Sequence, residues 1–367
     1  MALKIGFIGC GGIANGKHFP GMRQEKGIEL VAFCDIVKER AELGAKQFGD
    51  KGAKVYTDYK ELLQDKSIDA VHVLTPNVSH SEITVAALEA GKHVLCEKPM
   101  AATTADAEKM LAARDKTGKL LTIGYQYRHF HENALAKKVV EEGHLGEIYY
   151  AEASYIRRRG VPTWGVFTDK EKQGGGPLID IGTHALDLTL HLMNNYEVDH
   201  VIGTSFEKLG RLLDPDKQGQ TGWNPPGSQD PWDNKTFEVE DSAVGYIKMK
   251  NGAVIILKAS WALNMVTKPG MALLCGTKGG LDTYDDRVRL NHVVAGQQSI
   301  TMVGEKVQGF IPGFSTGQAP PSKEHQIWVK ALKGEGDLFV TADQAFVVTK
   351  VLDSIYKSSQ TGKAVHF

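Results

Sequence analysis

The chain has 367 residues, 42% of them hydrophobic and 24% charged, with a formal net charge of −1. Single domains usually run to roughly 100–200 residues, so two domains with ordinary cores are expected. The near-zero charge gives no bulk attraction to nucleic acid or an anionic membrane, and no apolar run approaches the ~18 residues of a membrane span. Neither partner is expected. The start, Met1 to Ala14, lacks a signal peptide's long apolar region and reads better as a first strand. Cys10, Cys34, Cys96 and Cys275 are far apart and form no CxxC pair. They read as buried, reduced thiols, and the protein as soluble and cytoplasmic.

Up to residue 124, strand-like runs alternate with helical patterns. The runs are Lys4–Gly9, Ile28–Asp35, Lys54–Tyr56, Ile68–Thr75, His93–Cys96 and Leu120–Gly124. Helical stretches are expected near 13–24, 37–48, 58–64, 78–90 and 103–116. This alternation indicates a parallel sheet wound by crossover helices, so residues 1–124 are expected to form a doubly wound Rossmann domain.

Residues 125–367 are expected to form a second, α+β domain around a mostly antiparallel sheet. Ala134–Glu142 and Ile179–Met193 read as helices, and Ile148–Ile156 and Val198–Phe206 as strands. Val239–Met249 and Ala253–Leu263 flank Lys250-Asn251-Gly252, a strong hairpin signal because Asn and Gly tolerate positive φ. Ala272–Cys275 and Val288–Leu290 add further strands. Residues 207–236, rich in proline and glycine and carrying Trp223 and Trp232, read as a long loop of functional type.

The turn after the first strand, Gly9-Cys10-Gly11-Gly12-Ile13-Ala14, has the GxGxxA form of a dinucleotide fingerprint. Gly9 permits the tight turn, Gly11 a close approach to a pyrophosphate, and Ala14 close helix packing. Amides at the helix start, Gly12 and Ile13 among them, favour the anion. Asp35 ends the second strand at the distance where a carboxylate bonds the ribose 2′-hydroxyl and repels a 2′-phosphate. NAD is therefore expected rather than NADP. The bland reading of Asp35 is a cap on the next helix.

Two further strand ends carry unusual residues: Thr75-Pro76-Asn77 with His80, and Glu97-Lys98-Pro99. Ligands of wound sheets bind at the carboxyl ends of strands, so these residues are expected to face the nicotinamide half of the cofactor. With Gly9–Ala14 and Gly174-Gly175-Gly176-Pro177-Leu178-Ile179-Asp180-Ile181-Gly182-Thr183-His184, they stand in one order across both halves. In this the sequence resembles the glucose–fructose oxidoreductase / inositol dehydrogenase / MocA family, and its glycoside-oxidising members in particular. The resemblance implies a C-terminal domain with a large open sheet, whose face makes a homo-oligomer (dimer, tetramer or larger). It implies that Lys98 sits between nicotinamide and substrate, with Asp180 and His184 completing the catalytic set.

The residue types suit that chemistry. Oxidising a secondary alcohol removes a hydride from carbon, which the cofactor takes, and a proton from oxygen. A histidine near its ordinary pKa of ~6.5 suits the proton, and a cationic lysine stabilises a developing alkoxide. His184 and Lys98 can exchange these roles, and Asp180 orients a substrate hydroxyl. Asp180 and His184, four apart on an expected helix, share a face. The glycine run before them is expected to let the chain turn tightly and approach a ligand. Tyr125, Arg158, Trp164 and Thr183 are further candidates for substrate contact; at least one of Arg157, Arg158 and Arg159 must face solvent. Asp187 and His191 continue the Asp180–His184 stripe, but no metal is expected there, because no HExxH or cysteine–histidine spacing supports it. The expected activity is NAD-dependent oxidation of a sugar or glycoside at ring carbon 3, or the reverse reduction, with NAD either released or held and recycled. An inositol dehydrogenase is the alternative within the class. A non-catalytic NAD-binding regulator is the alternative outside it, disfavoured by the presence of Lys98 and His184.

Overall fold

The computed structural model describes residues 2–212, 237–265, 270–283, 287–304 and 323–367. Most of the tryptophan-bearing loop expected over 207–236 lies outside these residues. The described residues form two compact units. The first holds residues 2–124 and 323–346, the second those within 125–304 and 347–367. The sequence reading kept 125–367 together; the packing puts 323–346 with the first unit.

In the first unit the strands are β1 (Leu3–Ile8), β2 (Ile28–Cys34), β3 (Lys54–Tyr56), β4 (Ala70–Val73), β5 (His93–Cys96) and β6 (Leu121–Ile123). All pair in parallel, in the order β3-β2-β1-β4-β5-β6. This is the Rossmann order, whose reversal between β1 and β4 opens a crevice at the strand ends. Every residue of β4 is buried, as expected of a parallel strand covered on both faces. The helices are α1 (Phe19–Arg23), α2 (Lys38–Phe48), α3 (Tyr59–Gln64), α4 (His80–Glu89) and α5 (Thr104–Thr117). Asp58 caps α3 through the Lys60 amide and Thr103 caps α5 through the Asp106 amide. The helix expected over 13–24 is not uniform: a π-helical turn, Ala14–His18, precedes α1, which carries Pro20 in its first turn. Phe7, Phe19 and Phe33 pack ring to ring at 4.9–5.4 Å in the core.

In the second unit, α6 (His131–Glu141), α7 (Lys170–Gln173) and α8 (Thr183–Met193) accompany β7 (Ile148–Ile156), β8 (Val198–Phe206), β9 (Ser242–Met249), β10 (Val254–Ser260), β11 (Ala272–Gly276), β12 (Gly280–Asp282), β13 (Val288–Val294), β14 (Gln297–Val303) and β15 (Val365–His366). Two C-terminal helices complete the described chain. α9 (Lys323–Leu332) puts Trp328 and Val329 into the core of the first unit, and α10 (Ala342–Thr361) runs from the first unit into the second. The strands form one open sheet, β14-β13-β12-β11-β7-β10-β9-β8-β15. It is antiparallel except for the β7–β10 pair. The Lys250-Asn251-Gly252 turn joins β9 to β10 as expected, with Gly252 at φ +94°. α8, buried from Thr183 to Leu192, packs on β7 and β11. Ile202, Val244 and Tyr246, on neighbouring strands, are exposed. No helix among the described residues is long and apolar enough to cross a membrane.

Candidate active site

The candidate residues fall on both units. On the first, β1 ends in Gly9 at φ +98°, where a Cβ would lie 2.6 Å from the Leu74 carbonyl oxygen. Only glycine fits this turn between β1 and the end of β4. A Cβ on Gly11 would meet no atom within 4 Å, and Gly12 and Ile13 are exposed. The upper face of the turn is therefore open to a ligand while its lower face is packed by the buried Ala14. Asp35, half-buried, accepts the Cys10 amide at 2.8 Å and the Val37 amide at 2.9 Å. It thus ties the glycine turn to the end of β2. An ionised carboxylate offers about four acceptor positions, so a ribose hydroxyl can still bond to it. These features fit a dinucleotide: an open amide-lined turn with an acid beside it.

The other two strand ends are bound to one another. His80 is buried, with Nε2 2.8 Å from the Thr75 carbonyl oxygen and Nδ1 2.7 Å from that of Pro99. Ser79 Oγ donates to Thr75 Oγ1 at 2.7 Å. Lys98 is half-buried and is joined to Pro99 by a cis peptide bond. Glu97 points inward: Oε1 meets Lys17 Nζ at 2.7 Å and His18 Nε2 at 2.8 Å, and Oε2 accepts the Lys98 amide at 3.1 Å. Burial alone would raise its pKa, but Lys17 and His18 outweigh that and hold the carboxyl well below the usual range. The His80 and Glu97 side chains are engaged by the protein and brace the Thr75-Pro76-Asn77 and Lys98-Pro99 turns.

On the second unit, Gly175 and Gly176 are packed against the protein itself. A Cβ on Gly176 would lie 2.1 Å from the Glu240 carbonyl oxygen, and one on Gly175 the same distance from the Tyr356 hydroxyl. The buried Glu240 carboxylate accepts the amides of Gly176 and Leu178, at 2.9 and 3.1 Å, and the Tyr356 hydroxyl at 2.8 Å. Glycine is needed there because backbone and tyrosine pack against it. The helix expected over 179–193 begins with a π-helical turn, Leu178–Gly182, and α8 follows from Thr183. Such turns recur at functional sites.

Asp180 and His184 are 8% and 7% exposed, almost withdrawn from water. Asp180 accepts a hydrogen bond from the buried Trp261 indole at 3.1 Å. His184 lies edge-on to the Tyr127 ring at 4.8 Å, and the hydroxyls of Tyr127 and Tyr155 are 3.2 Å apart. Burial first, then Tyr155, pushes the Tyr127 hydroxyl well above its ordinary pKa, so it stays protonated. The Arg157 guanidinium lies 5.5 Å from the centre of the Tyr155 ring. The sequence reading missed Trp261, Tyr127 and Tyr155, and named Arg157 only as one of three adjacent arginines. A tryptophan ending an apolar strand was the one visible signal.

Other candidates change role. Tyr125 and Thr183, expected to contact substrate, are fully buried and hydrogen-bonded to one another at 3.0 Å. Asp187, on the same stripe as Asp180 and His184, is a buried partner of Arg128, held at 2.9 and 2.5 Å. Burial pulls the pKa of His191 down to about 3, so it is neutral. Arg158 is exposed, whereas Arg157 and Arg159 bond to Gly160 and Asn264. Trp164 is half-buried, edge-on to Phe167 at 4.8 Å.

Residues 3–125 match the family profile described as "Oxidoreductase family, NAD-binding Rossmann fold", and residues 137–367 its "C-terminal alpha/beta domain". The chain is 32% identical to the D-glucoside 3-dehydrogenase of Escherichia coli over 99% of its own length and 97% of that protein's. It is 33% identical to the inositol 2-dehydrogenase of Salmonella typhimurium, over 45% of this chain and 49% of that one. Among solved structures, an oxidoreductase domain protein from Kribbella flavida superposes with a TM-score of 0.80 at 27% identity, covering 100% of this chain and 99% of that one. The chain therefore belongs to the glucose–fructose oxidoreductase / inositol dehydrogenase / MocA family of oxidoreductases, and its first unit is the family's NAD-binding Rossmann domain.

Proposed function

We propose that the chain is an NAD-dependent glycoside dehydrogenase that oxidises the secondary hydroxyl at ring carbon 3 to a ketone. The end-to-end likeness to a D-glucoside 3-dehydrogenase carries this reading. NAD, when bound, accepts the hydride. Gly9, Gly11, Gly12 and Ile13 hold its pyrophosphate, and Thr75, Pro76 and Asn77 line its nicotinamide half. Asp35 binds the ribose and selects against a 2′-phosphate. Lys98 stabilises negative charge on the reacting oxygen, and His184 takes the proton. Asp180, fixed by Trp261, accepts a hydrogen bond from a neighbouring sugar hydroxyl. Arg158 and Trp164 contact the glycoside beyond the reacting ring, where an aromatic face suits a sugar.

The enzyme assembles as a homo-oligomer through the open sheet face. Exposed Ile202, Val244 and Tyr246 support this, because apolar side chains grouped on one face favour association. It works in the cytoplasm. Its four thiols support that, three of them buried and none in a disulfide.

The test is a substrate panel of glucosides, free glucose and myo-inositol with NAD, following NADH formation and locating the ketone by NMR. Glucoside turnover to a 3-ketone supports the reading. Turnover of myo-inositol with none of the glucosides overturns it. Nicotinamide absorbance that survives gel filtration identifies a retained, recycled cofactor.

A further inference from the structure

We propose that His18, His72 and His325 form a buried tri-histidine site for a divalent transition-metal ion, zinc foremost, inside the first unit. His18 ends the π-helical turn before α1, His72 lies in the middle of β4, and His325 sits in the first turn of α9. The fold alone brings these three segments together, and all three side chains are wholly buried.

The ring nitrogens converge. His18 Nδ1 is 3.1 Å from His72 Nδ1 and 3.2 Å from His325 Nε2, and the three ligand atoms lie within 4.8 Å of one another. Hydrogen bonding by itself does not account for this arrangement. His18 Nε2 lies 2.8 Å from Glu97 Oε1, which also meets Lys17 Nζ at 2.7 Å while Oε2 accepts the Lys98 amide; a carboxylate engaged in this way accepts from Nε2, which leaves Nδ1 bare. Nδ1 then has one in-plane lone pair facing two imidazole nitrogens, and one lone pair serves one strong hydrogen bond. A cation drawing a lone pair from each ring removes that conflict.

The dimensions agree with such a centre. Zinc–nitrogen bonds of about 2.0–2.1 Å put tetrahedral ligand atoms roughly 3.3–3.4 Å apart, and the ring centres behind them about 5.2 Å apart. The observed ring-centre separations are 5.1 Å for His18–His72, 5.1 Å for His18–His325 and 6.0 Å for His72–His325. Only the last pair has to close up.

The surroundings also favour a cation. Lys17 Nζ bridges Glu97 and Glu324 at 2.7 and 2.8 Å, all buried, so two negative charges face one positive. The His18–Glu97 bond is the second-sphere carboxylate that ordinarily orients a metal-bound histidine. Gly21 of α1 makes room for the third ring: a Cβ there would lie 2.2 Å from His325 Nδ1. The ring is thus pressed against α1 with Nε2 directed at His18. Three imidazoles suit zinc, copper, nickel or cobalt and not magnesium or calcium. The ion would clip α9 to the Rossmann sheet, a structural role independent of the proposed reaction.

The test uses full-length protein without a polyhistidine tag. Elemental analysis is run as isolated and after growth with added zinc. Chelator-stripped protein is titrated with cobalt(II), following visible ligand-field absorption, and melting temperature is recorded stripped and reloaded. One metal per chain is expected, with a melting temperature that falls by about 5 °C on stripping and returns with zinc. His72→Asn and His325→Gln should each abolish stoichiometric binding, and Gly21→Ala should weaken it by displacing His325. The proposal is overturned if wild-type protein neither carries a transition metal nor takes up cobalt stoichiometrically; the triad then shares a proton. It is equally overturned if the metal persists in the His72→Asn/His325→Gln double variant. Should the variants not fold, the wild-type metal content decides.

Discussion

Replacing Trp261 with phenylalanine isolates one contact in the candidate site. The indole donates to Asp180 Oδ2 at 3.1 Å, and Trp261 is 0% exposed, so no water replaces the lost donor without rearrangement. A hydrogen bond to a charged group contributes roughly 1.5–3 kcal/mol. At ~1.4 kcal/mol per decade, kcat/KM for the preferred glycoside should fall by about 10- to 150-fold. The smaller ring also leaves a void against Val161, Ile181 and Phe237. The stability loss should stay below the ~3–5 kcal/mol of truncation to alanine. NAD affinity, set on the other unit, should not change. The assay combines NADH formation, a fluorescence titration with NAD and calorimetry on four proteins: wild type, Trp261→Phe, Asp180→Asn and the double variant. If Trp261 acts by fixing Asp180, its replacement has little further effect in the Asp180→Asn background. A rise in KM locates the effect in binding; a fall in kcat locates it in the transition state. Folded Trp261→Phe protein with wild-type kcat/KM, or two fully additive losses, would refute the reasoning.

Three further outcomes are expected. Lys98→Ala should lower kcat by about 10²–10⁴-fold with NAD still bound, checked by steady-state kinetics and titration; near-wild-type turnover removes Lys98 from the chemistry. Asp35→Ala should weaken NAD far more than NADP. It should also loosen the glycine turn, since the Cys10 and Val37 amides lose their acceptor; an unchanged NAD/NADP ratio counts against the ribose role. His191 binds a proton near pH 6.5 when unfolded but only near pH 3 when folded, mainly through burial and then Arg128. Between those values the unfolded state holds more protons, so stability falls as the pH drops from about 6.5 towards 3. His191→Gln should flatten that decline in a series of melting curves, and an unchanged slope shows that His191 does not contribute.

The legible parts of this protein are local. Alternating strands and helices, the Gly9 turn, Asp35 at the end of β2 and Lys98 at the end of β5 each follow from a few neighbouring residues, and the Asn251-Gly252 hairpin formed where expected. The bracing role of Glu97 and His80 was not legible, because strand-end positions suit cofactor contact equally well. Their inward direction depends on Lys17, His18 and the Pro99 carbonyl, supplied from elsewhere in the fold. Gly175 and Gly176 were read as room for a ligand, and the groups that need the room, Tyr356 and Glu240, are distant in sequence.

The sequence by itself determined the Rossmann domain, its glycine turn and the strand-end positions of the candidate residues, because turn geometry and strand periodicity act over a few residues. The tertiary structure alone decided that α9 joins the first unit, that Arg128 neutralises Asp187, that Trp261 holds Asp180, and that His18, His72 and His325 converge. Those outcomes depend on which side chains meet after burial, and no local spacing encodes a contact between residues 18 and 325.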